Sequence, residues 1–229
     1  MFKKLLLTSA LLVTFANAYA QQSQTFGMTG SVAPGGCSVV LTNAAIALGT
    51  LPQSTVKGYT AIAGTGTGAA VYSVGLPNVG FTVTCTAATR VGLGFVDNNA
   101  GKNLIQGKYD VLNFGLVDSA TGTSIGGFGF YMGNVLMDGV GTPKMFSSPT
   151  STTPVWVTTN ILGTDLMGYN GAPGNMNGFA KVSTATSPDS ALKITGNLVG
   201  FINLGKTIVD SMTTALSPTG SATLTLIYL

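Results

Sequence analysis

Neither histidine nor glutamate occurs in this 229-residue chain, and only 7% of its residues are charged, against roughly 25% in an ordinary soluble domain. Without histidine, the side chain that titrates nearest neutrality and the commonest metal ligand are both missing. Without glutamate, seven dispersed aspartates are the only carboxylates left for general acid–base work. Ten lysines and arginines in all are too few and too scattered for a nucleic-acid footprint. These absences weigh against an enzyme, a metalloprotein and a nucleic-acid binder, and no cofactor is expected. What is present is 32 glycines and 45% hydrophobic residues, a composition suited to an exported structural protein.

The first twenty residues, MFKKLLLTSALLVTFANAYA, have the form of a secretory signal peptide. Lys3 and Lys4 make a positive start, Leu5 to Phe15 an apolar centre, and Ala18-Tyr19-Ala20 a small-x-small cleavage site before Gln21. A membrane anchor is the alternative, but a spanning helix needs about 20 apolar residues, more than this centre supplies. Removal of the leader takes two lysines with it, leaving eight basic against seven acidic side chains and a formal charge of +1 in place of +3. The expected location is the periplasm in transit, then the cell surface. An outer-membrane β-barrel stays open, because barrel strands give a weak signal.

Two cysteines, Cys37 in PGGCSVVL and Cys85 in GFTVTCTA, suggest one disulfide in an oxidising compartment. Reactive thiols are the alternative; no CxxC and no histidine supports them. The bridge would tie the first strand of the fold to one in its middle.

After the leader the pattern is short β-favouring runs separated by Gly, Pro, Asn and Thr. Strands are expected at Thr25 to Val32, Cys37 to Leu41, Gly80 to Thr86, Arg90 to Val96, Tyr109 to Leu116, Gly126 to Met132, Val155 to Thr159, Ala191 to Ile194 and Ala222 to Leu229. In Phe81-Thr82-Val83-Thr84-Cys85 the apolar positions share one face and threonine takes the other. Ala222, Leu224, Leu226 and Tyr228 likewise share a face. Ile227 and Leu229 make the opposite face apolar too, so the end of this strand should be covered on both sides. Many short strands of this kind indicate an antiparallel sandwich or barrel.

The glycine-rich stretches Gly64 to Gly68 and Gly163 to Gly178 read as loops, since neither continues into a phosphate-binding pattern. Asp97 to Gly101 reads as a turn rather than a calcium loop, which needs more oxygen ligands at alternating positions.

Three features together carry a resemblance. An alternating extended segment, TFGMTGSVAPGGCSVVL, follows the leader; a second cysteine ends an alternating strand in GFTVTCTAATRVGLGFVDN; and GSATLTLIYL closes the chain with a penultimate tyrosine. From about Thr25 to Leu229 the chain resembles chaperone–usher fimbrial (pilin) subunits, and more narrowly the DUF1120 family of exported bacterial proteins. The resemblance implies an all-β, immunoglobulin-like antiparallel sandwich that lacks its last strand and is completed by a donor strand. It implies a periplasmic chaperone, an outer-membrane usher and other fimbrial subunits as partners, with a host or surface glycan or protein as receptor. The physical basis would be strand addition with side chains entering pockets at alternate positions.

On that basis the chain divides into a signal peptide (1–20), an N-terminal extension or first strand (21–36) and a pilin-like domain (37–229). Phe26, Met28, Gly30 and Val32 lie on one face of the extension and are the donor-strand candidates; the same segment could equally be this subunit's own first strand. Leu224, Leu226 and Tyr228 are the candidates for an edge strand that pairs with the chaperone. Trp156, the only tryptophan, reads as a strand core residue or as a sugar-stacking platform. The expected function is a structural or adhesive subunit of a surface fimbria. An outer-membrane barrel and a secreted glycan-binding sandwich with a cleft near Trp156 or Tyr169 are the rivals.

Overall fold

The computed structural model describes residues 36–62, 70–104, 114–142, 144–148, 155–159 and 176–229. Every strand and helix among them lies in the contact-defined unit Cys37–Leu229. The strands, in chain order, are β1 (Cys37–Thr42), β2 (Ala61–Ile62), β3 (Val71–Gly75), β4 (Val79–Asp97), β5 (Phe114–Asp118), β6 (Ser124–Met137), β7 (Val140–Gly141), β8 (Lys144–Ser148), β9 (Val157–Thr159), β10 (Met176–Ala180), β11 (Ser190–Gly205), β12 (Pro218–Thr219) and β13 (Ala222–Tyr228). Two one-turn helices, Gln53–Lys57 and Lys206–Ser211, accompany them.

The protein is predominantly β, and its strands form a curled, open, six-stranded antiparallel half-barrel. The strand order β12–β5–β6–β11–β4 is extended by β1 on the far side of β4. The alternation seen around Cys85 organises the whole arrangement. Phe81, Val83 and Cys85 are buried while Thr84 and Thr86 are exposed, because a strand directs successive side chains to opposite faces. The runs expected as two strands, Gly80 to Thr86 and Arg90 to Val96, are one 19-residue strand. Its first half pairs with β1 and β11, and its second half with β13 and β10. The inward residues of both halves, Phe81 and Val83 with Leu93 and Phe95, meet in one core cluster together with Phe130, Met137, Phe179 and Ile194.

β3 continues the line of β4 along β11. Gly75 faces Phe201 and Val79 faces Leu198, so Leu76, Pro77 and Asn78 stand against Val199 and Gly200. This is a bulge at proline, which has no N–H to give to a ladder. A second core cluster lies beyond it, where Val56 and Val209 of the two helices pack with Tyr72, Val74, Leu116, Ile202 and Leu204. Gln53 holds the helices together by donating from Nε2 to the carbonyls of Val209 and Asp210 at 2.8 and 3.2 Å. Neither helix was expected, because one turn is too short to show a 3.6-residue period.

Other expectations are corrected by the packing. The segment around Ala191 to Ile194 extends to a 16-residue strand that pairs with three partners. Gly163 to Gly178 is not wholly loop: Met176–Ala180 is a strand with every residue buried. Glycine is required there because a Cβ on Gly178 would lie 2.3 Å from Pro188 Cγ. Of the run Tyr109 to Leu116, Phe114, Gly115 and Leu116 are strand as expected, and 105–113 lie outside the described residues. The chain end is not covered on both sides, since Tyr228 and Leu229 are 50% and 37% exposed. Trp156 is half-buried while Val155 is exposed, which puts the tryptophan on the inward face.

Candidate functional site

The open edge of the half-barrel is made by two strands lying along the same side of β4. β1 is antiparallel to residues 80–85, and β13 is antiparallel to residues 91–97. Each has β4 as its only strand partner among the described residues. Hydrogen bonding alternates along an antiparallel pair, so that every second residue turns its N–H and C=O away from the partner. In β13 the phase is set at both ends: Leu229 N–H donates to Arg90 O at 3.1 Å and Asn98 N–H to Ser221 O at 3.0 Å. The residues bonded to β4 are therefore Thr223, Thr225 and Ile227. Ala222, Leu224 and Leu226 turn their backbone groups to the open edge, and their side chains pack against the core.

Cys37 and Cys85 form a disulfide, as two cysteines in this pattern suggested. They face each other directly across β1 and β4. Cys37 turns its backbone groups outward, and there they meet Tyr228: the phenol oxygen accepts from Cys37 N–H at 2.7 Å and donates to Cys37 O at 3.3 Å. The last residue of β13 and the first of β1 are thus joined, 191 positions apart in sequence.

Away from this joint the two strands part over a cleft of about 260 Å³, lined mostly by apolar side chains. One wall is Leu41, Ile46 and Leu48; the other is Gly220, Ala222 and Leu224; Phe95, Phe128 and Phe130 line it between them. The phenylalanines hold one another: Phe95 meets Phe130 edge-on at 4.5 Å, and Phe114 lies 5.1 and 5.2 Å from Phe128 and Phe130. Among the described residues no charged side chain lines the cleft. The second wall is fixed in place by Asn98, which donates from Nδ2 to Ser221 Oγ at 2.8 Å and accepts from Thr223 Oγ1 at 3.1 Å. This arrangement can pair an extended chain by its backbone and receive apolar side chains beside it.

Of the residues singled out in the sequence, Cys37, Cys85, Leu224, Leu226 and Tyr228 are brought to this edge. Phe26, Met28, Gly30 and Val32 lie outside the described residues, as do Tyr169 and Gly64 to Gly68. The phenylalanines and the Leu41–Leu48 wall were not foreseen as a site; the alternating Phe128-x-Phe130 was the available signal. Among the described residues no group of three or more histidine, cysteine or acidic side chains is placed to hold a metal.

Three of the described aspartates, Asp118, Asp138 and Asp210, serve as braces. Asp138 and Gly139, at φ +52° and +82°, make the two-residue turn between β6 and β7, the backbone of a type I′ hairpin. The Asp138 carboxylate accepts from Leu192 and Lys193 N–H and from Lys181 Nζ. The Lys181 ammonium, followed by the Lys193 N–H, holds its carboxyl below the usual carboxylate range. Asp118 is lowered by the Ser217 N–H and then the Thr121 hydroxyl, and Asp210 first by Lys206. None of the three lines the cleft. In comparison with known proteins, the chain matches no family model, no curated protein and no solved structure.

Proposed function

We propose that the chain is a structural or adhesive subunit of a bacterial surface fimbria, exported through the periplasm and completed by strand addition. In this reading the domain is an incomplete immunoglobulin-like sandwich of the pilin type. A periplasmic chaperone supplies the missing strand first, and a neighbouring subunit replaces it during assembly at an outer-membrane usher. The observation that carries the reading is the edge of β13, which has no strand partner beyond β4 among the described residues, beside a phenylalanine-lined cleft with no charged residue among those described. An exposed edge is a template for another strand, and main-chain pairing with alternate side chains in pockets is how such strands bind. The disulfide at the root of the edge suits an extracellular polymer, and none of these features requires catalytic chemistry.

The test is expression with and without a fimbrial chaperone, followed by electrophoresis of the periplasmic and surface fractions without boiling. Ladders resistant to detergent, lost when residues 21–32 are deleted, are the expected result. A chain that accumulates as a stable monomer without chaperone and never forms ladders would overturn the reading.

A further inference from the structure

Asp138 and Gly139, the turn between β6 and β7, are both exposed. An aspartate followed by glycine can rearrange without an enzyme, because glycine has no side chain to shield its nitrogen. That nitrogen attacks the aspartate carboxyl. The bond from Gly139 N to Asp138 Cγ forms, and one carboxyl oxygen leaves as water with the amide proton and the carboxyl proton. Water then opens the succinimide. Addition at Cγ restores aspartate; addition at the Asp138 main-chain carbonyl carbon breaks the original peptide bond and leaves isoaspartate. The water lost in the first step is regained in the second, and nothing is oxidised or reduced.

The fold holds this carboxyl in its least reactive form. Successive amides of a regular strand point opposite ways. β11 breaks register with β4 between Ala191 and Lys193, and here two successive amides converge: Leu192 and Lys193 N–H both donate to Asp138 Oδ1, at 2.9 and 2.8 Å. Lys181 Nζ donates to Oδ2 at 2.6 Å, and Asp138 N–H donates to Lys193 O at 2.8 Å. With both oxygens engaged the group stays an ionised carboxylate, whose carbon is a poor electrophile and which has no proton to give to departing water. Lys181 is itself anchored, its N–H donating to Asp189 Oδ2 at 2.7 Å.

We propose that Asp138-Gly139 is a latent isoaspartate modification site, and that Lys181 is the positioning residue that suppresses its rearrangement while the hairpin is docked on β11. Isoaspartate would add one carbon to the backbone of the two-residue turn and shorten the side chain by one. The carboxylate would then leave the two β11 amides, and the neighbouring pair Met137 and Ile194 would loosen.

The test follows isoaspartate in the full expressed chain, as wild type, Lys181→Met and Lys181→Arg. Each is stored folded in neutral buffer and, in parallel, unfolded in urea. Labelling by an isoaspartate methyltransferase detects the product, and chromatography of proteolytic peptides places it at 138. Deamidation at Asn177-Gly178, buried in β10, reports general unfolding in the same samples. Folded wild type should react at 138 at least about tenfold more slowly than the unfolded chain. Folded Lys181→Met should react about threefold faster than folded wild type, in keeping with a half-exposed ion pair, with Asn177 unchanged. Lys181→Arg should restore the slow rate. Equal rates at 138 in folded and unfolded wild type overturn the protection by the fold. Equal rates in folded wild type and Lys181→Met, or an acceleration matched at Asn177, overturn the role of Lys181. Absence of isoaspartate at 138 in the unfolded chain overturns the site itself.

Discussion

Cys37 and Cys85 stand directly opposite one another on β1 and β4, with their Cα atoms 4.0 Å apart and their sulfurs bonded. This is the close-approach position of an antiparallel pair, where the two residues exchange no backbone hydrogen bonds and their side chains come nearest. The same geometry turns the Cys37 peptide outward to Tyr228, so the covalent link and the edge joint share one residue.

Replacing both cysteines by serine should cost stability. The closed loop spans 48 residues, for which chain-entropy reasoning gives about 4 kcal/mol. Urea melts of the double variant, and of the wild type under reducing conditions, should show the same large drop in midpoint. A midpoint unmoved by reduction would mean that β1 is held by its packing alone.

Glycine at 126 is required by close approach. A Cβ there would stand 2.0 Å from the Asn203 carbonyl oxygen and 3.1 Å from Leu204 Cα, both backbone atoms of the central strand. Gly126→Ala is expected to lose about 2–3 kcal/mol through forced separation of β6 and β11. Gly133→Ala in the same strand meets only a Val199 methyl at 3.4 Å and should change stability by less than about 1 kcal/mol. Parallel thermal melts of the two variants check the contrast.

Leu224→Pro tests the edge without breaking the pair beneath it. Proline is tolerated on an edge strand where its missing N–H faces outward, and Leu224 is such a position. The variant should keep its disulfide and its cooperative melt, yet bind a peptide of the extension segment, TFGMTGSV, about tenfold more weakly, the worth of roughly one backbone hydrogen bond. Leu224→Ala, which keeps the N–H, separates this loss from that of the side chain in the cleft. Isothermal titration of the three proteins reads it out.

Acid should loosen the fold in a defined window. Asp118 and Asp138 are held below their ordinary values by hydrogen bonds and a lysine. Their contribution is therefore complete above an unfolded value of about 3.9 and is lost as pH falls through the lower folded values. Urea midpoints should be level from pH 7 to about 5 and decline below about 4. Asp138→Asn should flatten part of that decline, because it removes one group that titrates and with it the ion pair to Lys181. A midpoint that instead rises on acidification would contradict the assignment.

The strand at Cys85 and the strand at the chain end were legible because each shows its period within a few residues: Phe81, Val83 and Cys85 inward, Thr223 and Thr225 outward. The Asp138-Gly139 turn was equally local and was passed over, although Asp-Gly between apolar runs is a strong hairpin signal. β10 was hidden for a different reason. MNGFA is buried on both faces and so lacks alternation, and its glycine reads as loop when nothing shows that Pro188 crosses above it. The cleft was not legible at all, because its walls come from segments as far apart as Ile46, Phe128 and Leu224.

By itself the sequence determined the β class, the candidate disulfide and the absence of histidine and glutamate. These follow from local periodicity, a residue count and a missing set of functional groups. Only the tertiary structure decided that one long strand carries both β1 and β13 along a single edge, and that Tyr228 joins that edge at Cys37. Strand pairing is chosen by packing across the whole chain rather than by nearest neighbours, so a joint between residues 191 positions apart leaves no trace in either segment alone.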